Sequence, residues 1–165
     1  MTNSAVFQLR LMEERDIGPL ATALELSQRH IEARWQERLA GQRTMLVTEV
    51  DGETAGAVSF EERDKPSGLL HLFALAVASA LQGRGIATGL IAGVEEEARR
   101  RGLRGVHLGV AVDNVRAITL YERLGYQRVG EPYDSRWIWY GPDGEEREMV
   151  ERCYRMVKLR EAARS

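Results

Sequence analysis

Apolar and polar residues alternate along the first patterned stretch, "VFQLRLM", with Phe7, Leu9 and Leu11 on one parity and Gln8 and Arg10 on the other. A period of two predicts a strand with one buried face. From Asp16 the period lengthens. Ile17, Leu20, Ala21 and Leu24 form one helical stripe, and after Ser27 a second stripe carries Ile31, Trp35 and Leu39, so two helices follow the first strand. "TMLVTEV" and "TAGAVSF" flank "DGE", the signature of an antiparallel hairpin. After the polar turn "ERDKPSG", the nearly continuous apolar run "LLHLFALAV" predicts a central strand covered on both faces. The next helix aligns Ile86, Leu90, Ile91, Val94 and Ala98 on one face. Glu95, Glu96 and Glu97 each stand four residues before Arg99, Arg100 and Arg101, which predicts a solvated, self-pairing face. Gly102 closes that helix. "GVHLGVAV" gives a fifth strand, "NVRAITLYERLGY" a short helix ended by Gly125, and two more strands lie in 127–140 and 149–159 around "GPDG". The order β, α, α, β, β, β, α, β, α, β, β predicts a mixed α/β sheet.

With 165 residues the chain suffices for one core and falls short of two, so 1–165 reads as a single domain. A net charge of -2 gives no general attraction to nucleic acid or anionic membrane, and neither is expected as a partner. The single Cys153 forms no internal disulfide, and "ERCYRMV" offers neither a CxxC pair nor a neighbouring histidine, so no metal site is expected. No apolar run approaches the roughly 18 residues of a membrane span, and "MTNSAVFQLR" lacks the regions of a signal peptide. A cytoplasmic location is the expectation.

The stretch "LQGRGIATGL" sets three glycines at the mouth of a helix, where bare backbone lets a ligand approach closely, phosphate above all. A nucleotide P-loop needs Lys and Ser or Thr after its last glycine, whereas Gly85 is followed by Ile86, Ala87 and Thr88. A dinucleotide fingerprint needs a third glycine where Thr88 stands. The spacing that is met is QxxGxA, by Gln82, Gly85 and Ala87. Here the sequence resembles the GNAT superfamily of N-acetyltransferases. "ALAV" ahead of the loop is similar to that family's fourth strand, and "NVRAITLYERLGY" matches its second signature at Asn114, Ala117, Ile118, Leu120, Tyr121 and Gly125.

The resemblance implies a GNAT-like fold, a mixed seven-stranded sheet splayed between strands four and five and flanked by about four helices. It implies acetyl-CoA as cosubstrate. The backbone of Gln82, Gly83, Arg84, Gly85, Ile86, Ala87 and Thr88 would hold the pyrophosphate, and Leu75, Ala76 and Val77 would pair with the pantetheine amides, with Asn114, Ala117 and Tyr121 beside the coenzyme. Transfer to an amine is direct, so Cys153 needs no role beyond packing. Tyr121 is the expected general acid for the departing thiolate. His71 occupies the position where a related branch carries a glutamate base, six residues before Val77. Glu61 and Glu62 are alternatives, and His30 and His107 have weaker claims.

Acceptor choice is expected to lie partly in the last hairpin. Tyr133, Trp137, Trp139 and Tyr140 stand there near Asp134, Glu145, Glu146 and Glu148, a set that suits a cationic amine or, more simply, a solvated hairpin with a buried aromatic face. A small amine, an amino acid, an aminoglycoside-like compound and a protein amine all remain open as acceptors. A non-catalytic acyl-CoA-binding module and an acyltransferase with another acyl group or acceptor are the other readings. A homodimer would be in keeping with the family.

Overall fold

The hydrophobic alternation sorts the strands into a sheet with an apolar layer on each face. The computed structural model describes residues 8–62 and 68–161. In chain order these form β1 (Gln8–Leu11), α1 (Ile17–Leu24), α2 (Gln28–Leu39), β2 (Thr44–Val50), β3 (Glu53–Glu61), β4 (Leu69–Val77), α3 (Ile86–Arg100), β5 (Gly105–Ala111), α4 (Val115–Arg123), β6 (Gln127–Tyr140) and β7 (Glu146–Leu159). The seven strands make one mixed sheet in the order β1-β2-β3-β4-β5-β7-β6. Phe7 and Val6 of the predicted first strand, and residues 63–67 of the predicted turn, lie outside the described residues.

The hairpin between β2 and β3 turns on Asp51 and Gly52, both at positive φ (53° and 80°), as the right-handed twist of paired strands requires of a two-residue turn. Among the described residues only β4 and β5 are parallel, joined by the crossover through α3. On one face Ile86, Leu90, Ile91 and Val94 of α3 and Ile118 of α4 pack on Val58, Leu70, Leu72, Val106 and Leu108. On the other, Leu20, Ala21 and Ile31 of the first two helices pack on Met45, Val47 and Ala57. Odd and even residues of each strand thus serve different layers.

Several local expectations are corrected. β1 has a single neighbour, so Leu11 is 51% exposed, while Arg10 on the opposite parity is drawn into a bidentate pair with the buried Asp16 (2.7 Å twice) and a contact with Glu49 (2.6 Å). Leu39, at the outer end of its stripe, is 61% exposed. β4 is not covered on both faces: burial alternates and then becomes partial, because one face opens to a cavity. In the Glu–Arg run of α3, Glu97 pairs with Arg101 (2.8 Å) as expected, whereas Glu96 pairs with Arg99 and not with Arg100. Glu95 instead turns inward, accepting from Tyr126 Oη (2.9 Å) and Lys158 Nζ (3.2 Å).

Candidate active site

β4 and β5 pair at Leu69–Gly105, Leu70–Val106 and His71–His107, and the pairing stops there although the strands run on to Val77 and Ala111. The sheet is splayed at this point, as expected. On its other side β4 keeps to β3 through a bulge: Ala57 faces Ala76, but Ser59 faces Phe73. Inside the bulge Ala74 takes φ 52°, a left-handed conformation rare outside glycine. The extra residue inverts the alternation. Leu70 and Leu72 feed the α3 layer before it, and Leu75 and Val77 feed the same layer after it. The carboxyl ends of the parting strands are where open sheets bind ligands, and α3 and α4 both start there.

The glycine loop opens α3 with bare backbone. Gly83 and Gly85 both have φ 81°, and a Cβ on either would meet nothing within 4 Å, so backbone conformation rather than crowding demands glycine. Gly85 is the N-cap of α3 and supplies no side-chain cap, leaving the first-turn N–H groups without a side-chain acceptor. Gln82 Nε2 donates to the Val77 carbonyl (3.4 Å), tying the loop to the end of β4. Arg84 and Thr88 are exposed, Ala87 is half-buried, and the Ile86 side chain belongs to the core, so only its backbone faces outward. Leu75 and Ala76 are half-buried like Val77.

Asn114 caps α4, its side chain accepting from the Ala117 N–H at 3.1 Å. Tyr121 and Tyr126 are both buried and pack edge to face, with centroids 5.9 Å apart. Burial raises the Tyr121 phenol pKa, so it is protonated at neutral pH.

On the sheet face toward α2 lies a cavity of about 730 Å³. Its floor is a ring stack: His71 lies 4.6 Å from His107 and 5.0 Å from Phe73, centroid to centroid. His71 Nδ1 is 4.0 Å from Glu61 Oε1, its partner across β3 and β4. Of the two carboxylates considered, Glu61 is thus at the site and Glu62 is turned away to Arg101 (2.8 Å). His107 has no partner visible in sequence, and the parallel register supplies one by setting it beside His71. His30 also lines the cavity. It is buried, and its pKa is pushed down to about 4, first by desolvation and then by Arg34 and Arg43. Cys153 lines the same space, and burial raises its thiol pKa, opposite to what a nucleophile needs. Tyr133 lies over β5, where a Cβ on Gly109 would meet its hydroxyl at 2.1 Å. Arg34 and Arg43 were not anticipated as lining residues. Arg34 stands on a helix that reads in sequence as polar, and Arg43 in the connection between α2 and β2.

The hairpin carboxylates are occupied. Asp134 pairs with Arg152 (3.2 Å), Glu148 with Arg136 (2.9 Å), Glu146 with Arg29 (3.5 Å) and Glu145 with Arg147 (3.9 Å), while Arg147 lies over the Trp139 ring. A ready cation site does not result.

Residues 8–126, well over half of the chain, match the acetyltransferase (GNAT) family. The chain belongs to that family. It is 36% identical over 96 residues to N-acetyltransferase 8 of Rattus norvegicus, a match covering 56% of this chain and 43% of that protein. It is 32% identical over 136 residues to an uncharacterised N-acetyltransferase of Methanocaldococcus jannaschii, covering 76% and 51%. The chain therefore spans about half the length of the curated relatives it matches. Among solved structures it resembles the spermidine/spermine N-acetyltransferase of Vibrio cholerae (TM-score 0.71, 20% identity, 94% of each chain) and the ribosomal-protein-S18-alanine N-acetyltransferase of Escherichia coli (TM-score 0.67, 20% identity, 93% and 94%). At that identity the likeness concerns the fold. For a GNAT protein the cosubstrate is acetyl-CoA, and the loop's residues suit it. Uncapped N–H groups at a helix start favour a diphosphate, and open space surrounds both glycine α-carbons.

Proposed function

We propose that this chain is an acetyl-CoA-dependent N-acetyltransferase that passes the acetyl group directly from the thioester to an amine. The observation that carries this reading is the break between β4 and β5 beyond His71 and His107, with the uncapped start of α3 on one side and a polar cavity on the other. Gln82 to Thr88 bind the pyrophosphate through backbone N–H groups, and the half-buried stretch Leu75 to Val77 offers main-chain groups to the pantetheine amides. Asn114 and Ala117 border the coenzyme from α4. Bound acetyl-CoA supplies an activated carbonyl. The cavity presents the acceptor to it from the opposite side of the sheet.

His71 takes the proton the amine loses as its nitrogen bonds to the carbonyl carbon, and Glu61 at 4.0 Å stabilises the imidazolium that results. The stacked ring of His107 fixes the plane of His71. As the carbon–sulfur bond breaks, the thiolate receives a proton from Tyr121, which burial keeps protonated. No enzyme nucleophile is needed, in agreement with the raised pKa of Cys153.

Titration calorimetry with CoA and acetyl-CoA tests the coenzyme assignment. Saturable binding of both, with ATP and NAD bound far more weakly, is expected. Tighter binding of ATP or NAD would overturn it.

A further inference from the structure

The cavity's cations are matched, with one exception. Arg43 donates to Glu37 (2.8 Å) and Ser59 (3.1 Å) and lies over the Phe73 ring, Arg136 pairs with Glu148, and Arg155 lies over the Tyr133 ring. Arg34, on α2, has no carboxylate or carbonyl partner among the described residues. Its Nη1 is shut off from water and makes no hydrogen bond, and its Nη2 faces only His30 Nε2 at 3.2 Å.

That last contact supplies no acceptor either. The Tyr140 backbone N–H can only donate, and it points at His30 Nδ1 (3.3 Å). A neutral ring that accepts there carries its proton on Nε2, so an N–H of the ring meets an N–H of the guanidinium. Protonating His30 would add a donor, and the pKa of about 4 keeps the ring neutral in any case. The nearby carboxylate, Glu37, is bonded to Arg43. Burial first, and then Arg43, lower the Arg34 pKa to about 10, and Glu37 offsets them only in part, so the cation in the cavity wall is compensated at a distance and by no direct contact. Around Arg34, donors therefore outnumber acceptors, although Glu37, Asp134 and Glu151 line other parts of the cavity.

We propose that the acceptor is an amine that also bears a carboxylate, an amino acid or a close analogue, and that Arg34 holds this carboxylate in the cavity. Arg34 lines the cavity, and a turn of its side chain that brings the sealed, unpartnered Nη1 to the opening would give a carboxylate a charge-assisted donor. The volume of about 730 Å³ admits both functional groups of a small ligand together. The inference rests on the reading of this cavity as the acceptor site of an N-acetyltransferase. It departs from the cationic acceptor that the hairpin aromatics suggested.

The test compares kcat/KM of the full chain for free L-amino acids, their carboxamides and the corresponding decarboxylated amines, with acetyl-CoA binding followed in parallel by calorimetry. At least one acid should be preferred to its own amide by about 100-fold, the scale of one buried charge-assisted contact. Arg34→Gln should erase that preference by raising KM for the acid, leaving amides within about twofold, and Arg34→Lys should retain part of it. Amides or decarboxylated amines used as well as the acids, or an Arg34→Gln loss equal for acids and amides, would overturn the assignment. So would acetyl-CoA binding with no free amino acid acetylated. A protein that acetylates amines without acid preference keeps the proposed function and loses only the role of Arg34. One that neither binds acetyl-CoA nor acetylates any of the panel loses both. The acid-to-amide ratio of the parent protein decides the matter even if Arg34→Gln does not fold.

Discussion

Tyr121 and Tyr126 lie five residues apart, share burial in one apolar layer, and differ in what their hydroxyls touch. Tyr126 donates to Glu95, a fixed contact that also holds Lys158; the Tyr121 phenol is shifted by burial alone, with no hydrogen bond to it among the described residues. Opposite outcomes are expected. Tyr126→Phe should cost about 1 kcal/mol of stability, the net value of one hydrogen bond, and leave turnover nearly unchanged. Tyr121→Phe should cost little stability and lower turnover roughly 10- to 1000-fold with coenzyme affinity retained. Denaturant unfolding and steady-state kinetics on the two variants check this, and a Tyr121→Phe enzyme within about twofold of the parent would return that residue to packing. Tyr121 was legible because a signature of fixed spacing surrounds it. His30 and His107 carry only weaker claims in the sequence, and Arg34 carries none. A cavity wall of polar side chains on a polar helix has the pattern of a solvated face, and the His71–His107 stack exists only once two strands distant in sequence take their register.

At the scale of the element, the order of strands and helices followed from periodicity, since each change from two to 3.6 marks a change of buried face. The bulge in β4 left no such mark. Its apolar run "LLHLFALAV" is nearly continuous, so a shift of parity at Ala74 is invisible in it. The start of α3 yields a clean test. At Gly85 a side chain has room, and φ 81° costs a non-glycine residue on the order of 1–2 kcal/mol. Gly85→Asp should therefore fold and lose coenzyme binding, because its carboxylate stands where the diphosphate belongs. Unchanged affinity by calorimetry, with native circular dichroism, would exclude the loop from the coenzyme site. At β1 and α1, burial raises the Asp16 pKa, but the hydrogen bonds of Arg10 and the Glu13 N–H outweigh it and hold the carboxyl below its ordinary 3.8. A carboxyl so lowered stabilises the fold at higher pH, and the contribution disappears as pH falls through the lowered value. Arg10→Met leaves Asp16 buried without its partner and should cost about 3 kcal/mol near neutral pH, measured by urea unfolding.

For the molecule as a whole, the buried His30 adds a second acid-sensitive group. Its pKa falls from 6.5 to about 4 on folding, so between those values the unfolded chain binds more protons and stability drops as pH drops, by an amount on the order of 2 kcal/mol. His30→Asn should flatten that part of the profile in chemical unfolding from pH 7 to 4. Under the proposed function the two faces of the sheet would divide the work, with the coenzyme on the side of α3 and α4, the acceptor on the side of α2 and the last hairpin, and the parted strands β4 and β5 between them. No helix among the described residues is long and apolar enough to cross a membrane. The most direct measurement is mass spectrometry of an amine panel incubated with acetyl-CoA and the full chain, with free CoA quantified in the same reactions. Direct transfer requires an N-acetylated product and one equivalent of free thiol per product, at a rate that falls sharply in the Tyr121→Phe protein. Thiol release without any acetylated amine, or the same product yield from Tyr121→Phe as from the parent, would contradict it.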